Sequence, residues 1–138
     1  MGELKLYAHT GKAADKSDWE PLADHLTAVA ERAAGFAQAF GAADWARFQG
    51  LCHDLGKAKP AFQKRLEGGP SVSHASEGAA YALNLGSSHR RDPSGVILAY
   101  GIAGHHVGLP DYDGGASGRS VSIAPVWDAG NSRPISPR

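Results

Sequence analysis

The sequence has a single cysteine, no excess of either charge and no long apolar run. One cysteine, Cys52, excludes an internal disulfide and fits a reducing compartment. Lysine and arginine together number 14, as do aspartate and glutamate, so any affinity for nucleic acid must come from a local patch. No stretch approaches the ~20 apolar residues of a membrane span, and the first residues lack the apolar core of a secretory signal. We expect a cytoplasmic protein with no membrane partner.

Sustained alternation of apolar and polar residues is also absent, which argues against a fold built on a sheet. Apolar residues instead recur at steps of three and four in about five segments separated by glycine and proline. The predicted helices begin near residues 18–21, 42, 60, 73 and 93, and the last ends at His105-His106. The length of 138 residues suits one ordinary domain. We predict an all-α class, a compact bundle of about five helices joined by short loops.

The apolar positions of these segments predict which side chains are buried. The first helix is predicted to bury Leu22, Leu26, Val29, Ala33, Phe36, Ala37 and Phe40, and to end at Gly41. The second, predicted to run to Leu55, is expected to turn Trp45, Phe48, Leu51, Cys52 and Leu55 inward. The later helices are expected to contribute Phe62, Leu66, Ala75, Ala79, Leu83, Val96, Ile97, Tyr100 and Ile102.

The C-terminal part of the sequence has a different character. From Asp111 to Arg138, glycine, proline and serine are frequent and no helical period is sustained. We therefore predict a packed domain over residues 1–112 and an irregular tail over residues 113–138, truncated or disordered.

Histidine is the one residue type present in unusual number, with seven in the chain. The candidates are His25 on the apolar side of the first helix, His53 and Asp54 at the end of the second, His74 at the start of the fourth, and His105 and His106 at the end of the fifth. Each alone has an ordinary structural explanation, such as a core histidine or a polar helix end. Together they lie in four helices, which is how a bundle builds a metal site in its core. His9 and His89 have no helical frame and are expected to be solvated, and Cys52 is expected to be an apolar thiol.

Several motifs occur together in order: YAHT, W-x-x-L-x-x-H-L, HDLGKAKPAFQ, SHASEGA and GHHVGLPD. This set resembles the HD phosphohydrolase superfamily, and within it the HD nuclease domain of the CRISPR-associated type I nuclease–helicase. The resemblance covers roughly residues 5–112. It implies an HD-domain helical bundle that cuts mainly single-stranded DNA in CRISPR antiviral defence. It also implies two partners, a superfamily 2-type helicase and the RNA-guided surveillance complex.

The resemblance further implies a two-metal site. His25, His53 and Asp54 would bind one metal, with Asp54 bridging, and His74, His105 and His106 would bind the other. Lys57 would lie near the scissile phosphate, which makes Asp54 and Lys57 the catalytic candidates. Imidazole-rich donors favour Mn, Fe, Ni, Co or Zn over Mg, and up to two such ions are expected.

A short run of basic residues follows the His53-Asp54 pair. Lys57, Lys59, Lys64 and Arg65 form a strip that could follow a DNA backbone without any net positive charge on the chain. His89-Arg90-Arg91 is a second, smaller patch. A charge run of this length is also common on an ordinary solvated surface.

The sequence departs from the resemblance after GHHVGLPDYDGG. The resemblance implies a further acidic ligand well beyond the HH motif, and the remaining candidates are Asp111, Asp113 and Asp128. The chain would then be a fragment, a separate subunit or a shortened relative. Two alternatives stay open: a non-catalytic, metal-stabilised module that docks on the helicase or the surveillance complex, and an HD phosphohydrolase that acts on nucleotides.

Overall fold

The computed structural model describes residues 5–87, 94–106 and 108. Within these residues the helices are α1 (Leu22–Ala37), α2 (Ala43–Cys52), α3 (Pro60–Leu66), α4 (Ala75–Ser87) and α5 (Ser94–Gly104). Short 3₁₀ helices at Gln38–Phe40 and Leu55–Ala58 extend the ends of α1 and α2. The strands β1 (Tyr7–His9) and β2 (Glu20–Pro21) form a two-stranded antiparallel pair. The predicted all-α class, with about five helices, is confirmed.

The helix limits follow local signals in the sequence. Pro21, in an extended conformation, precedes α1, and Asp24 places a negative charge in the first turn, where the helix dipole favours it. Gly41 adopts a left-handed conformation with φ 74° and ends the helical segment, as predicted. Pro60 is the first residue of α3, where its missing N–H costs nothing.

The end of α2 differs from the prediction. The helix ends at Cys52 rather than Leu55, and Asp54 has φ −113° and ψ 19°, outside the helical region. The Nδ1 of His53 lies 2.7 Å from the carbonyl oxygen of Gly50, the oxygen that Asp54 would need to continue the helix. The polar pair therefore lies in a turn, where its two side chains can face the same space.

The helices pack mainly as two pairs, α1 with α2 and α4 with α5. The buried core consists of Cys52, Ala79, Ala82, Ala99, Ile102 and Ala103, with Phe48, Leu55, Leu83 and Leu98 packed against it. Glycines allow the closest contacts. A Cβ on Gly78 would lie 1.8 Å from the carbonyl oxygen of Cys52, so the end of α2 is held directly against α4.

The predicted burial is confirmed at Leu22, Ala37, Cys52, Phe62, Ala79 and Ile102 and wrong at several large residues. Phe36 and Phe40 are 76% and 74% exposed, and Trp45, Leu51, Val96 and Ile97 are also exposed. A Cβ on Gly50 would lie 2.5 Å from the Cα of Ala30, so α1 approaches α2 through its alanine face. Because that face, which includes Ala34 and Ala37, is buried, the two phenylalanines point away from it.

Several predictions fall outside the described residues. These are the irregular tail over residues 113–138, the patch His89-Arg90-Arg91, and the acidic candidates Asp111, Asp113 and Asp128. None of the helices in the described part of the chain has both the length and the apolarity needed to cross a membrane.

Candidate metal centre

The structure brings the predicted ligands together around one carboxylate. His25 projects from the first turn of α1, His53 and Asp54 follow α2, His74 precedes α4, and His105 and His106 follow α5. Five of these six candidate ligands thus lie just beyond the end of a helix, where the chain turns and a side chain can project from that end. The two close helix pairs hold these ends together.

Asp54 is the centre of the cluster and is almost completely buried. Its Oδ2 lies 3.2 Å from the Nε2 of His25 and 3.2 Å from the Nε2 of His53. Its Oδ1 lies 3.2 Å from the Nε2 of His74 and 3.4 Å from the Nε2 of His105. The two oxygens of one carboxylate therefore face two different pairs of imidazoles.

Hydrogen bonds on the side of the ring away from Asp54 orient the imidazoles of His53 and His105. The Nδ1–H of His53 donates to the carbonyl of Gly50 at 2.7 Å, and the Nδ1–H of His105 donates to the carbonyl of Ile102 at 2.6 Å. A neutral imidazole with its proton on Nδ1 has its lone pair on Nε2. These lone pairs are directed at Asp54, and a lone pair faces a carboxylate oxygen favourably only with a proton or a cation between them.

His106 completes the second half of the cluster. Its Nε2 lies 2.7 Å from the Nε2 of His74. One donor atom each from Asp54, His74, His105 and His106 lies within 4.8 Å of the others, and the same holds for His25, His53 and Asp54. The described residues thus contain two donor sets that share Asp54.

The donor chemistry fits divalent metal ions. Oδ1 of Asp54 and Nδ1 of His74 are buried and make no hydrogen bond in the described structure. A buried polar atom without a partner is costly, and a cation beside Oδ1 would satisfy this oxygen. Imidazole with few carboxylates suits Mn, Fe, Co, Ni and Zn better than Mg.

The ionisable groups of the cluster shift one another's pKa values. Burial alone would raise the pKa of Asp54, but His105, His53 and Lys57 outweigh it and hold this pKa well below its usual range. The interaction with Asp54 raises the pKa of His105, whereas burial lowers the pKa of His74 and of His106. Asp54 is thus ionised, and the raised pKa of His105 lets it hold a proton to a higher pH than His74 or His106.

We expect metal affinity to rise with pH because a metal must displace the proton of His105. Below the raised pKa of His105, each pH unit should change the affinity for Mn²⁺ up to about tenfold. Titration calorimetry at pH 6 and pH 8, in buffers of different ionisation enthalpy, measures both the affinity and the protons released. An affinity that is independent of pH would contradict the role of His105 as a ligand.

The four basic candidates occupy different environments. Lys57 is buried, and its Nζ lies 2.8 Å from Oδ2 of Asp54. Lys59 pairs with Glu77 and donates to the carbonyl of Ser73 at 2.7 Å. Lys64 and Arg65 are exposed. Lys57 is therefore part of the centre itself. Contact of the basic strip, Lys57 to Arg65, with DNA stays a prediction.

Cys52 behaves as expected from the sequence. Its thiol is buried in the core, and burial raises its pKa to about 11. It belongs to none of the donor groups found in the described residues.

We expect a thiol-specific reagent at pH 8 to label Cys52 in the folded protein at least about tenfold more slowly than in the urea-unfolded protein, because only the exposed thiolate reacts. Equal labelling rates would contradict the burial of this thiol.

One polar group beside the centre was not foreseen from the sequence. His9 contacts Glu20 at 2.6 Å between Nδ1 and Oε2, and Glu20 also lies 3.3 Å from Nδ1 of His25. The hydrogen bond to His9 lowers the pKa of Glu20. The expectation that His9 is solvated is correct only in part, since its side chain is 55% exposed but reaches the centre. The YAHT motif was the available signal, but the pairing of two strands could not be read from it.

A family model described as HD domain matches residues 22–131, which is most of the chain. The matched region contains all the candidate ligands, from His25 to His106, and begins after His9 and Glu20. The chain matches no curated protein and no solved structure.

Proposed function

This chain belongs to the HD domain family, and we propose that it is a metal-dependent nuclease that hydrolyses phosphodiester bonds in single-stranded DNA. The observation that supports this best is the position of Asp54, with Oδ2 facing His25 and His53 and Oδ1 facing His74 and His105. A carboxylate shared in this way suits a pair of neighbouring cations, the arrangement found in many enzymes that cleave phosphate esters.

The two donor sets define which residues would hold the metals. His25, His53 and Asp54 would hold one ion, and Asp54, His74, His105 and His106 the other. Divalent cations bound there would supply Lewis-acid activation of a phosphate ester and of the attacking water. With one carboxylate among the donors, most of the cationic charge remains available to attract an anionic backbone.

Lys57 contributes a positive charge from the protein itself. Its Nζ is held 2.8 Å from Asp54 and 3.0 Å from Nε2 of His9, in a buried position beside the donor sets. A lysine ammonium can donate three hydrogen bonds and attract phosphate as a compact charge. We assign Lys57 to binding a non-bridging phosphate oxygen and to stabilising the charge that accumulates during hydrolysis.

The role in CRISPR antiviral defence, and the helicase and surveillance complex as partners, are part of this proposal. They are supported by the ordered motifs, in particular HDLGKAKPAFQ and GHHVGLPD, rather than by any contact in the structure. Co-purification of this chain with a co-expressed superfamily 2-type helicase would test the partnership.

The decisive experiment uses circular single-stranded DNA, which only an endonuclease can open. We expect the purified chain to linearise and degrade it with Mn²⁺, and a chelator to stop the reaction. A panel of nucleoside triphosphates, nucleoside monophosphates and cyclic nucleotides is tested in parallel. Hydrolysis of nucleotides without cleavage of DNA would support the alternative of a nucleotide phosphohydrolase. Tight metal binding without hydrolysis of either substrate would support a docking module.

A further inference from the structure

His9 and Glu20 form a cross-strand pair beside the metal centre. They are opposite one another in the antiparallel pairing of β1 with β2, so their side chains project from the same face. Both precede residue 22, where the match to the HD domain begins. The proposed reaction assigns neither residue a role.

Glu20 uses its two oxygens for two histidines. Oε2 accepts from Nδ1 of His9 at 2.6 Å, and Oε1 accepts from Nδ1 of His25 at 3.3 Å. On the opposite side of the His25 ring, Nε2 lies 3.2 Å from Oδ2 of Asp54. The His25 ring is therefore held between two carboxylates, one outside the donor sets and one inside.

This arrangement determines which nitrogen of His25 can bind a metal. A neutral imidazole has one N–H and one lone pair. Because Glu20 accepts the proton on Nδ1, the lone pair lies on Nε2 and is directed towards Asp54. The donors of His9, Glu20 and His25 lie within 4.8 Å of one another, but with Nδ1 of His25 protonated they orient a ligand instead of forming a third metal site.

The position of His25 in its helix explains why a carboxylate is needed. His53 and His105 follow the ends of α2 and α5, where the last carbonyls of a helix have no partner within the helix. Their Nδ1–H groups use such carbonyls, those of Gly50 and Ile102. His25 lies in the first turn of α1, where the free backbone groups are N–H donors. An acceptor for its Nδ1–H must come from elsewhere, and β2 supplies Glu20.

His9 fixes Glu20 and also connects it to Lys57. Its Nδ1–H donates to Glu20, and its Nε2 lies 3.0 Å from Nζ of Lys57. Lys57 contacts Oδ2 of Asp54 at 2.8 Å. The contacts therefore close a ring that passes through Asp54, Lys57, His9, Glu20 and His25.

We infer that Glu20, held in place by His9 across the β1–β2 pair, is a positioning residue that fixes His25 as an Nε2 ligand of the metal shared with His53 and Asp54. The inference rests on the metal binding proposed above. A carboxylate behind a ligating histidine fixes the orientation of the ring and raises its basicity, and loss of such a partner typically costs about 10–100-fold in metal affinity. The effect should be confined to this metal, since the other donor set has no contact with Glu20 in the described structure.

The test compares Glu20→Ala with the parent protein by titration calorimetry with Mn²⁺ and by absorption of the Co²⁺-loaded protein. We expect the affinity of one of the two metals to fall about 10–100-fold and that of the other to stay unchanged. Glu20→Gln, which keeps one acceptor oxygen for His25, should recover part of the loss. The matched control is Glu31→Ala, which removes an exposed carboxylate of α1 that pairs with Arg47.

A second readout follows the tautomer of His25 without any metal. Long-range ¹H–¹⁵N spectra of the parent should show the proton of neutral His25 on Nδ1, and those of Glu20→Ala a mixture of the two tautomers. Unchanged metal affinities and an unchanged tautomer in Glu20→Ala would overturn the inference and leave the proposed function intact. Absence of metal binding in the parent itself would overturn both.

Discussion

Replacement of Asp54 by asparagine is expected to abolish metal binding and DNA cleavage together. Both oxygens of Asp54 face imidazole nitrogens, at 3.2 Å on the Oδ2 side and 3.2 and 3.4 Å on the Oδ1 side. An asparagine keeps one neutral oxygen and turns an N–H₂ group towards the other donor set. Since loss of an outer-shell partner already costs about 10–100-fold in affinity, loss of the shared ligand should exceed about 100-fold for both metals.

The same substitution removes the partner of a buried charge. Lys57 is 5% exposed and pairs with Asp54 at 2.8 Å. Breaking a buried ion pair from one side costs about 3–5 kcal/mol, so Asp54→Asn should also lower the free energy of unfolding. The double variant Asp54→Asn/Lys57→Met removes both charges and should recover much of this stability, because no unpaired charge then remains.

Two comparisons separate ligand loss from unfolding. Asp44→Asn changes the same residue type in α2, where the side chain is 97% exposed, and should bind metal and cleave DNA as the parent does. The double variant should be folded by circular dichroism and bind no Mn²⁺ in calorimetry. If a folded Asp54→Asn/Lys57→Met protein bound two metals with the affinity of the parent, Asp54 would not be the shared ligand.

Among substitutions that add a single methyl group, Gly78→Ala is expected to lower the free energy of unfolding the most. Its Cβ would lie 1.8 Å from the carbonyl oxygen of Cys52, 2.8 Å from its carbonyl carbon and 3.1 Å from Cγ2 of Ile102. Two of these atoms are backbone and cannot rotate away, so α2 and α4 must separate. We expect a loss of about 2 kcal/mol or more, even though alanine favours a helix over glycine by about 1 kcal/mol.

Gly35→Ala is the matched control for this prediction. Gly35 lies within α1, and a Cβ there would meet nothing within 4 Å. Alanine should therefore stabilise the protein by about 1 kcal/mol through its helix propensity alone. Urea denaturation of the three proteins measures both effects. Gly78→Ala should also weaken metal binding, because His53 and Asp54 directly follow the part of α2 that would move. Equal stability of Gly78→Ala and the parent would contradict the close contact between these helices.

The sequence was sufficient for features that depend on local chemistry. Helical periodicity gave the all-α class, and Gly41 and Pro60 marked helix limits because each has a conformational preference that acts within one turn. The histidines at the ends of predicted helices could be grouped as ligands because the ends of packed helices lie near one another.

The tertiary structure alone decided what depends on residues far apart in the chain. An apolar period shows that a helix has a buried side, but it does not show which part of a wide apolar surface meets the neighbouring helix. For this reason Phe36 and Phe40 were predicted to be buried, whereas it is the alanine face of α1 that packs on α2. Which oxygen of Asp54 faces which histidine depends on the relative positions of four helices. The pairing of His9 with Glu20 brings together two strands too short to leave a periodic signal. Residue type and local spacing were thus enough to name the candidate donors and the helices that carry them, and the ordered motifs implied their role as metal ligands. How these donors divide between the two oxygens of Asp54, and the contact of Glu20 with His25, depend on contacts between distant segments of the chain and were visible only in the tertiary structure.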